Sequence, residues 1–337
     1  MSRDSLAAEN LVHQHAAHSV AAVIVAYEPD LRTLEHLSNI MSQQCGAVII
    51  VNNSESEAYS NLPRPLNSAT IILNNGGNQG IAHAHNRGIE WALAHEYDYV
   101  LLLDQDSQPA PDMLRQLLEA HAMIKAEGIE PGAVGASYLE AHSGQRSFFL
   151  RLRRLGFHRI SSDATDEPVV QVDHLISSGM LISRKALILA GLMDESLFID
   201  HVDSEWCLRA RAKGLRHFGC FNATMRHQLG DKSLRLWFGR WRHYSVHSPI
   251  RCYYIFRNSI HLMSLSYVPL RWKWMDLRRL LLLSAFHAIF LPNRVLTLRL
   301  MLTGIYHGLR GIDGKIRDSK QAIKTAGLRS PSAPFHG

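Results

Sequence analysis

Four short apolar runs, each ended by acids or amides, constrain this chain more than any other feature. Ser19–Tyr27 (SVAAVIVAY) stops at Glu28, and Ala47–Val51 stops at Asn52-Asn53-Ser54. Thr70–Leu73 stops at Asn74-Asn75, and Tyr99–Leu103 stops at Asp104-Gln105-Asp106. Runs without polar alternation predict strands buried on both faces, as in parallel sheets. Between them, Leu31–Gln43 carries apolar residues at helical spacing behind a capping Asp30, and Ile81–Glu96 reads as a second helix. Such alternation predicts right-handed βαβ units in an open α/β sheet. Ligands of such sheets sit in the crevice at the carboxyl ends of the strands, where these polar residues stand. Two carboxylates one residue apart are costly to bury unpaired. At a strand's end Asp104 and Asp106 either hold a divalent cation with a phosphate ester or remain solvated loop acids.

Further along, Asp112–Ala126, Arg184–Ala190 and Glu205–Lys213 read as helices, the last ended by Gly214. Val134–Tyr138 and Val169–Ile182 read as strands, and the polar, basic insert Ser143–Asp166 as a mobile loop. Asn74–Ala82 (NNGGNQGIA) is a polar turn with a helix cap, or an anion site at a helix N-terminus. It matches neither GxGxxG nor a P-loop. Phe198–Trp206 (FIDHVDSEW) packs Asp200, Asp203 and Glu205 just before a helix. Capping uses fewer than three acids, which leaves one as a candidate general base. His227, one of 20 histidines, is not singled out by physics alone.

Four scattered cysteines without a CxxC argue against a zinc site or a disulfide framework and suit a reducing cytoplasm. Residues 1–18 read as a flexible leader with no signal-peptide run. The uncharged stretch Leu280–Asn293 is too short to span a bilayer. The net charge of +6 is unevenly spread: 17 Lys or Arg stand against three acids between Arg235 and Arg329, so the remainder is net acidic. The expected organisation is a leader, a catalytic domain over 19–234, and a basic amphipathic helical region over 235–330. Arg235–Arg242 (RLWFGRWR) and Trp272-Lys273-Trp274 mix aromatics with cations. They face an anionic membrane surface, or they close the core with Arg on the wet side. The Trp and Leu content fits lipid better than nucleic acid.

In combination these stretches resemble the family 2 inverting glycosyltransferases of the GT-A fold, and among them the bacterial rhamnosyltransferases. The matching residues are Val23–Tyr27, Val51–Ser54, Asn75–Ala82 with Asn86 and Gly88, Asp104–Ser107, Ser177–Ser183, Phe198–Arg209 and His227–Asp231. The DQDS stretch and FIDHVDSEWCLR are the specific parts. The resemblance implies a mostly parallel, Rossmann-like sheet flanked by helices, with a C-terminal helical extension. It implies nucleotide-sugar contacts from Ala26, Tyr27, Glu28, Asn52, Asn78, Gly80, Asn86, Asp104 and Gln105. Tyr27 and Asn52 would border the base, although Asn52 replaces the family's usual Asp and Glu28 stands where small or polar residues are common. Asp106 and His227 would serve a divalent metal, Mg²⁺ or Mn²⁺, and Asp203 would be the catalytic base. Ser178, Gly179, Asp200, Trp206 and Arg257 would lie on the acceptor or sugar side. The implied donor is dTDP-β-L-rhamnose. The implied acceptor is a lipid-linked or lipopolysaccharide saccharide of O-antigen synthesis, met by a peripheral protein on the inner face of the cytoplasmic membrane. Alternatives are transfer from UDP-hexose or UDP-galactofuranose, and a membrane-surface scaffold that binds nucleotide without turnover.

Overall fold

Strand β1 (Val20–Ala26) is buried at every residue, and its alternate side chains enter two different layers. Val20, Ala22, Ile24 and Ala26 join a core with Leu34, Leu37 and Met41 of α1 (Leu31–Ser42) and Met113–Ile124 of α3 (Met113–Ala126). Val23 points the other way, against Gly88 of α2 (Ile81–Ala94). Helices therefore cover both faces, which is why the strands lack polar alternation. The computed structural model describes residues 19–56, 70–140, 147–153, 156–227, 233–237 and 241–316.

Strands β2 (Ala47–Asn52), β3 (Thr70–Asn74) and β4 (Tyr99–Asp104) run parallel to β1. The remaining strands of the sheet are β5 (Gln108–Pro109), β6 (Pro131–Glu140), β9 (Val169–Val172), β10 (Met180–Ser183) and β11 (Arg216–His227). Among the described residues the sheet has nine strands, in the order β3-β2-β1-β4-β10-β6-β11-β5, with β9 also on β11. β6 and β11 keep the common direction, whereas β10, β5 and β9 oppose it. The chain leaves β1 first to one side and then, through β4, to the other. The switch point thus lies between β1 and β4, where such sheets open a ligand crevice.

Several expectations need correction. The run Val169–Ile182 is two strands, broken by a loop whose Gly179 has φ +80°. The insert read as a mobile loop contains a hairpin, β7 (Phe149–Arg153) paired with β8 (Gly156–Ile160). The basic stretch after residue 232 is not helical at its start. It forms a second hairpin, β12 (Ser233–Trp237) with β13 (Trp241–Ser245), in which Trp237 pairs with Trp241. The leader lies outside the described residues.

The chain divides into two compact units: Met1–Glu195 with Val202–Leu229, and Ser196–His201 with Gly230–Gly337. The first holds the sheet, α4 (Arg184–Ala190) and α5 (Val202–Ala212). Among the described residues the second holds the β12–β13 hairpin and the helices α6 (Pro249–Ser264), α7 (Leu270–Phe290) and α8 (Arg294–Arg310). Their core is Cys252, Ile255, Phe256, Leu280 and Met301. No helix among the described residues is long and apolar enough to cross a membrane.

Candidate active site

The carboxyl edge of β1–β4 is in register: Asn74 lies opposite Asn52, Asn52 opposite Ala26, and Asp104 opposite Val25. The strand ends are tied together by the residues that follow them. Gln105 binds across the switch point, its Oε1 accepting from Tyr27 N at 2.7 Å and its Nε2 donating to Tyr27 O at 3.2 Å. Ser54 Oγ accepts from Glu28 N at 2.8 Å, which holds Glu28 at φ +45°. Tyr27 is 43% exposed beside them. Partial burial, then the nearby Glu28 and Glu55 carboxylates, push its phenol above the ordinary value.

Asn53 organises the glycine-rich loop after β3. Its buried side chain donates to Asn78 Oδ1 and Gly80 O, and accepts from Asn75 Nδ2 and Gln79 N. Asn78 Oδ1 also accepts from Gly80 N at 3.0 Å, and Gly80 at φ +93° opens α2. Asn52 donates to Asn74 Oδ1 at 2.9 Å and accepts from Ser54 N. The loop's backbone is thereby fixed beside the helix N-terminus, whose amides favour an anion.

The Asp104–Ser107 turn is set from below. Ser107 N donates to Asp104 O at 3.1 Å, Asp104 N to Ser178 Oγ at 3.2 Å, and the buried Ser107 and Ser178 hydroxyls meet at 2.7 Å. Asp104 and Asp106 are both half-buried at this edge. Their oxygens suit Mg²⁺ or Mn²⁺, which binds through one or two carboxylates plus substrate phosphates. Among the described residues no group of three or more His, Cys, Asp and Glu could hold a metal. The side chain of His227, at the end of β11, lies outside those described.

Asp203 is in the first turn of α5, half-buried, and its Oδ1 accepts from Ser204 N at 2.7 Å. Its neighbour Glu205 has another function. Glu205 is 1% exposed and takes two bonds from Arg209, at 2.7 and 2.8 Å. The same guanidinium donates to Ala190 O and Leu192 O.

Several residues expected on the ligand side also tie the fold together. Asn86 is buried, donates to Met193 O and Glu195 Oε1, and accepts from Met193 N. Trp206 is fully buried, with Nε1 donating to Gly191 O. Ser178 and Gly179 lie beneath the Asp104 turn, where a Cβ on Gly179 would stand 2.9 Å from Ala136 Cβ. In the second unit, Arg257 is buried and donates to the carbonyls of Gly314, Ser196 and Leu197. Asn258 donates to the carbonyls of Leu197, Ile199 and Asp200, and Arg251 holds the Asp200 carboxylate at 3.0 Å. These bonds restrain a segment in which Phe198, Asp200 and His201 all have φ near +62°. That is a strained conformation for non-glycine residues, and most unusual for bulky Phe198. Asn53, Ser54 and Ser107 stand in the stretches that sequence reasoning singles out, but it gives none of them a role; their position directly after strands β2 and β4 is the available signal.

An open α/β sheet with paired carboxylates and an amide-rich loop at its switch point, followed by a helical region, is the architecture of the GT-A fold. Residues 24–188 are similar to the family described as Glycosyl transferase family 2. Over 300 residues the chain is 26% identical to the dTDP-rhamnosyl transferase RfbF of Shigella flexneri, covering 88% of this chain and 97% of that protein. It is 24% identical over 213 residues to the low-salt glycan biosynthesis hexosyltransferase Agl10 of Haloferax volcanii, covering 62% of this chain and 67% of that one. Among solved structures it is similar to S. aureus TarS 1–349 in complex with UDP-GlcNAc. That match has a TM-score of 0.52 at 13% identity and covers 87% of this chain and 81% of that one. At that identity the likeness speaks to the fold.

Proposed function

We propose that this enzyme is a metal-dependent, inverting rhamnosyltransferase. Its donor is dTDP-β-L-rhamnose, and its product is an α-rhamnoside on a lipid-linked or lipopolysaccharide acceptor at the inner face of the cytoplasmic membrane. The observation that carries the donor assignment is the near end-to-end similarity to a dTDP-rhamnosyl transferase. The coupled strand ends support the mechanism.

Tyr27, fixed at both backbone polar groups by Gln105, borders the nucleobase with Asn52. The Asn78–Gly80 turn, rigid through Asn53, meets the nucleoside and diphosphate. Asp104 meets the nucleoside and diphosphate, and Asp106 with His227 would hold the divalent ion, which when bound supplies positive charge against the leaving diphosphate. Asp203 accepts the proton of the acceptor hydroxyl as that oxygen attacks the anomeric carbon from the side opposite the diphosphate. One displacement inverts the centre, so no covalent sugar–enzyme bond forms. The basic second unit meets the membrane that carries the acceptor.

The donor assignment is tested by thermal stabilisation with dTDP against UDP, each with Mn²⁺ or Mg²⁺. Stronger stabilisation by dTDP is expected. Stronger stabilisation by UDP would favour hexosyl transfer, the activity named for the Haloferax volcanii relative.

A further inference from the structure

Helix α7 is apolar on both sides. Trp272 and Leu280 are buried inward, with Asp276 and His287. Outward, Trp274, Leu277, Leu281 and Ile289 recur at three- to eight-residue helical spacing and are 68%, 38%, 64% and 67% exposed. An ordinary surface helix puts polar residues on that side. Helix α8 repeats the pattern with Val295, Leu302, Tyr306 and Leu309 exposed. The charge has one sign. Between Leu270 and Ile312 the chain has seven Lys or Arg and one acid. That acid, Asp276, is buried and receives a hydrogen bond from Arg279 Nε at 2.8 Å. Arg271 and Arg278 are exposed near Trp274.

We infer that the outward face of α7, extended by the outward stripe of α8, is the surface that docks on anionic lipid. A cationic, apolar helix face of this kind lies in the plane of the interface, with its Leu and Trp among the acyl chains and its Arg at the phosphates. Since α7 cannot cross a bilayer, the contact is peripheral and reversible. The inference rests on the membrane part of the proposed function, and it names the residues that make the contact.

The test is sedimentation of the full chain with phosphatidylcholine vesicles, with and without phosphatidylglycerol. The wild type is expected to bind the anionic vesicles. A Trp274→Ser, Leu281→Ser, Ile289→Ser variant is expected to bind about tenfold more weakly or less. Ile188→Ser, which removes an equally exposed apolar side chain from α4, is expected to bind as the wild type. Should the triple variant misfold, Arg271→Gln with Arg278→Gln is the second probe, expected to weaken binding to anionic vesicles and flatten its salt dependence. If the wild type binds and the folded α7 variants bind equally well, this face is wrong and the membrane reading stands. If the wild type binds neither vesicle, both fail. If the triple variant instead turns a dimer into a monomer by light scattering with lipid binding unchanged, the face serves self-association and the inference is overturned.

Discussion

Glu205→Ala separates two acids that look alike in sequence. Glu205 is almost fully buried and takes two hydrogen bonds from Arg209, from Nε and Nη2, while Nη1 donates to Ala190 O and Nη2 also to Leu192 O. Removing the carboxylate leaves a guanidinium, 19% exposed, facing two carbonyls without its counter-charge. Breaking a buried pair from one side costs about 3–5 kcal/mol. That is a large part of the roughly 5–15 kcal/mol by which a domain is stable. For a unit of this size the melting temperature should fall by roughly 6–20 °C. Differential scanning calorimetry reads the shift directly. Asp203→Asn, two residues earlier, should melt close to the wild type, because among the described residues its carboxylate accepts hydrogen bonds from adjacent Ser204 alone. If Glu205→Ala melts within about 1 °C of wild type, the buried ion pair does not hold α5 to the α4 terminus and the division of labour is wrong.

Gln105→Ala removes both side-chain bonds to the Tyr27 backbone and should weaken dTDP binding roughly five- to hundredfold by calorimetry; unchanged affinity would remove Gln105 from a positioning role. Gly88→Ala should destabilise by about 1–3 kcal/mol in urea melts, because the new Cβ would lie 2.3 Å from Val23 Cγ1. The double variant with Val23→Ala should recover part of that loss, and an equal or larger loss in the double would count against the contact. His85 is fully buried, neither ring nitrogen finds a partner among the described residues, and burial depresses its pKa to about 4. Its native pKa lies below the unfolded value, so the unfolded chain binds the proton more readily. Stability should be complete above about pH 6.5 and fall by about 1.4 kcal/mol per pH unit from this residue as pH drops towards 4. His85→Leu should flatten that slope in urea titrations, and an unaltered slope would refute the assignment.

The parallel strands were legible because burial on both faces removes polar alternation, and β1, β2 and β4 are buried along nearly their whole length. Their carboxyl ends were legible because acids and amides there have no use inside a core. What each polar residue does was less legible. Asn86 looks like a ligand contact in its motif, yet its partners are Met193 and Glu195, more than 100 residues away. Arg257 likewise finds Ser196, Leu197 and Gly314. Partners so distant leave no local trace. The β12–β13 hairpin has a local signal in sequence: Ser-Leu-Arg-Leu-Trp alternates with period two, and Gly239 lies midway in sequence between Trp237 and Trp241. The abundance of Arg and Trp outweighed that alternation in favour of a helix.

The central claim, single-displacement transfer of rhamnose with Asp203 as base, is tested most directly by the anomeric configuration of the product. The enzyme is incubated with dTDP-β-L-rhamnose, divalent metal and a lipid-linked acceptor fraction, and the isolated glycoside is read by NMR. The account predicts an α-L-rhamnoside, formed by the wild type and lost with Asp203→Asn. A β-linked product, or an α-linked product made at the wild-type rate by Asp203→Asn, would contradict it.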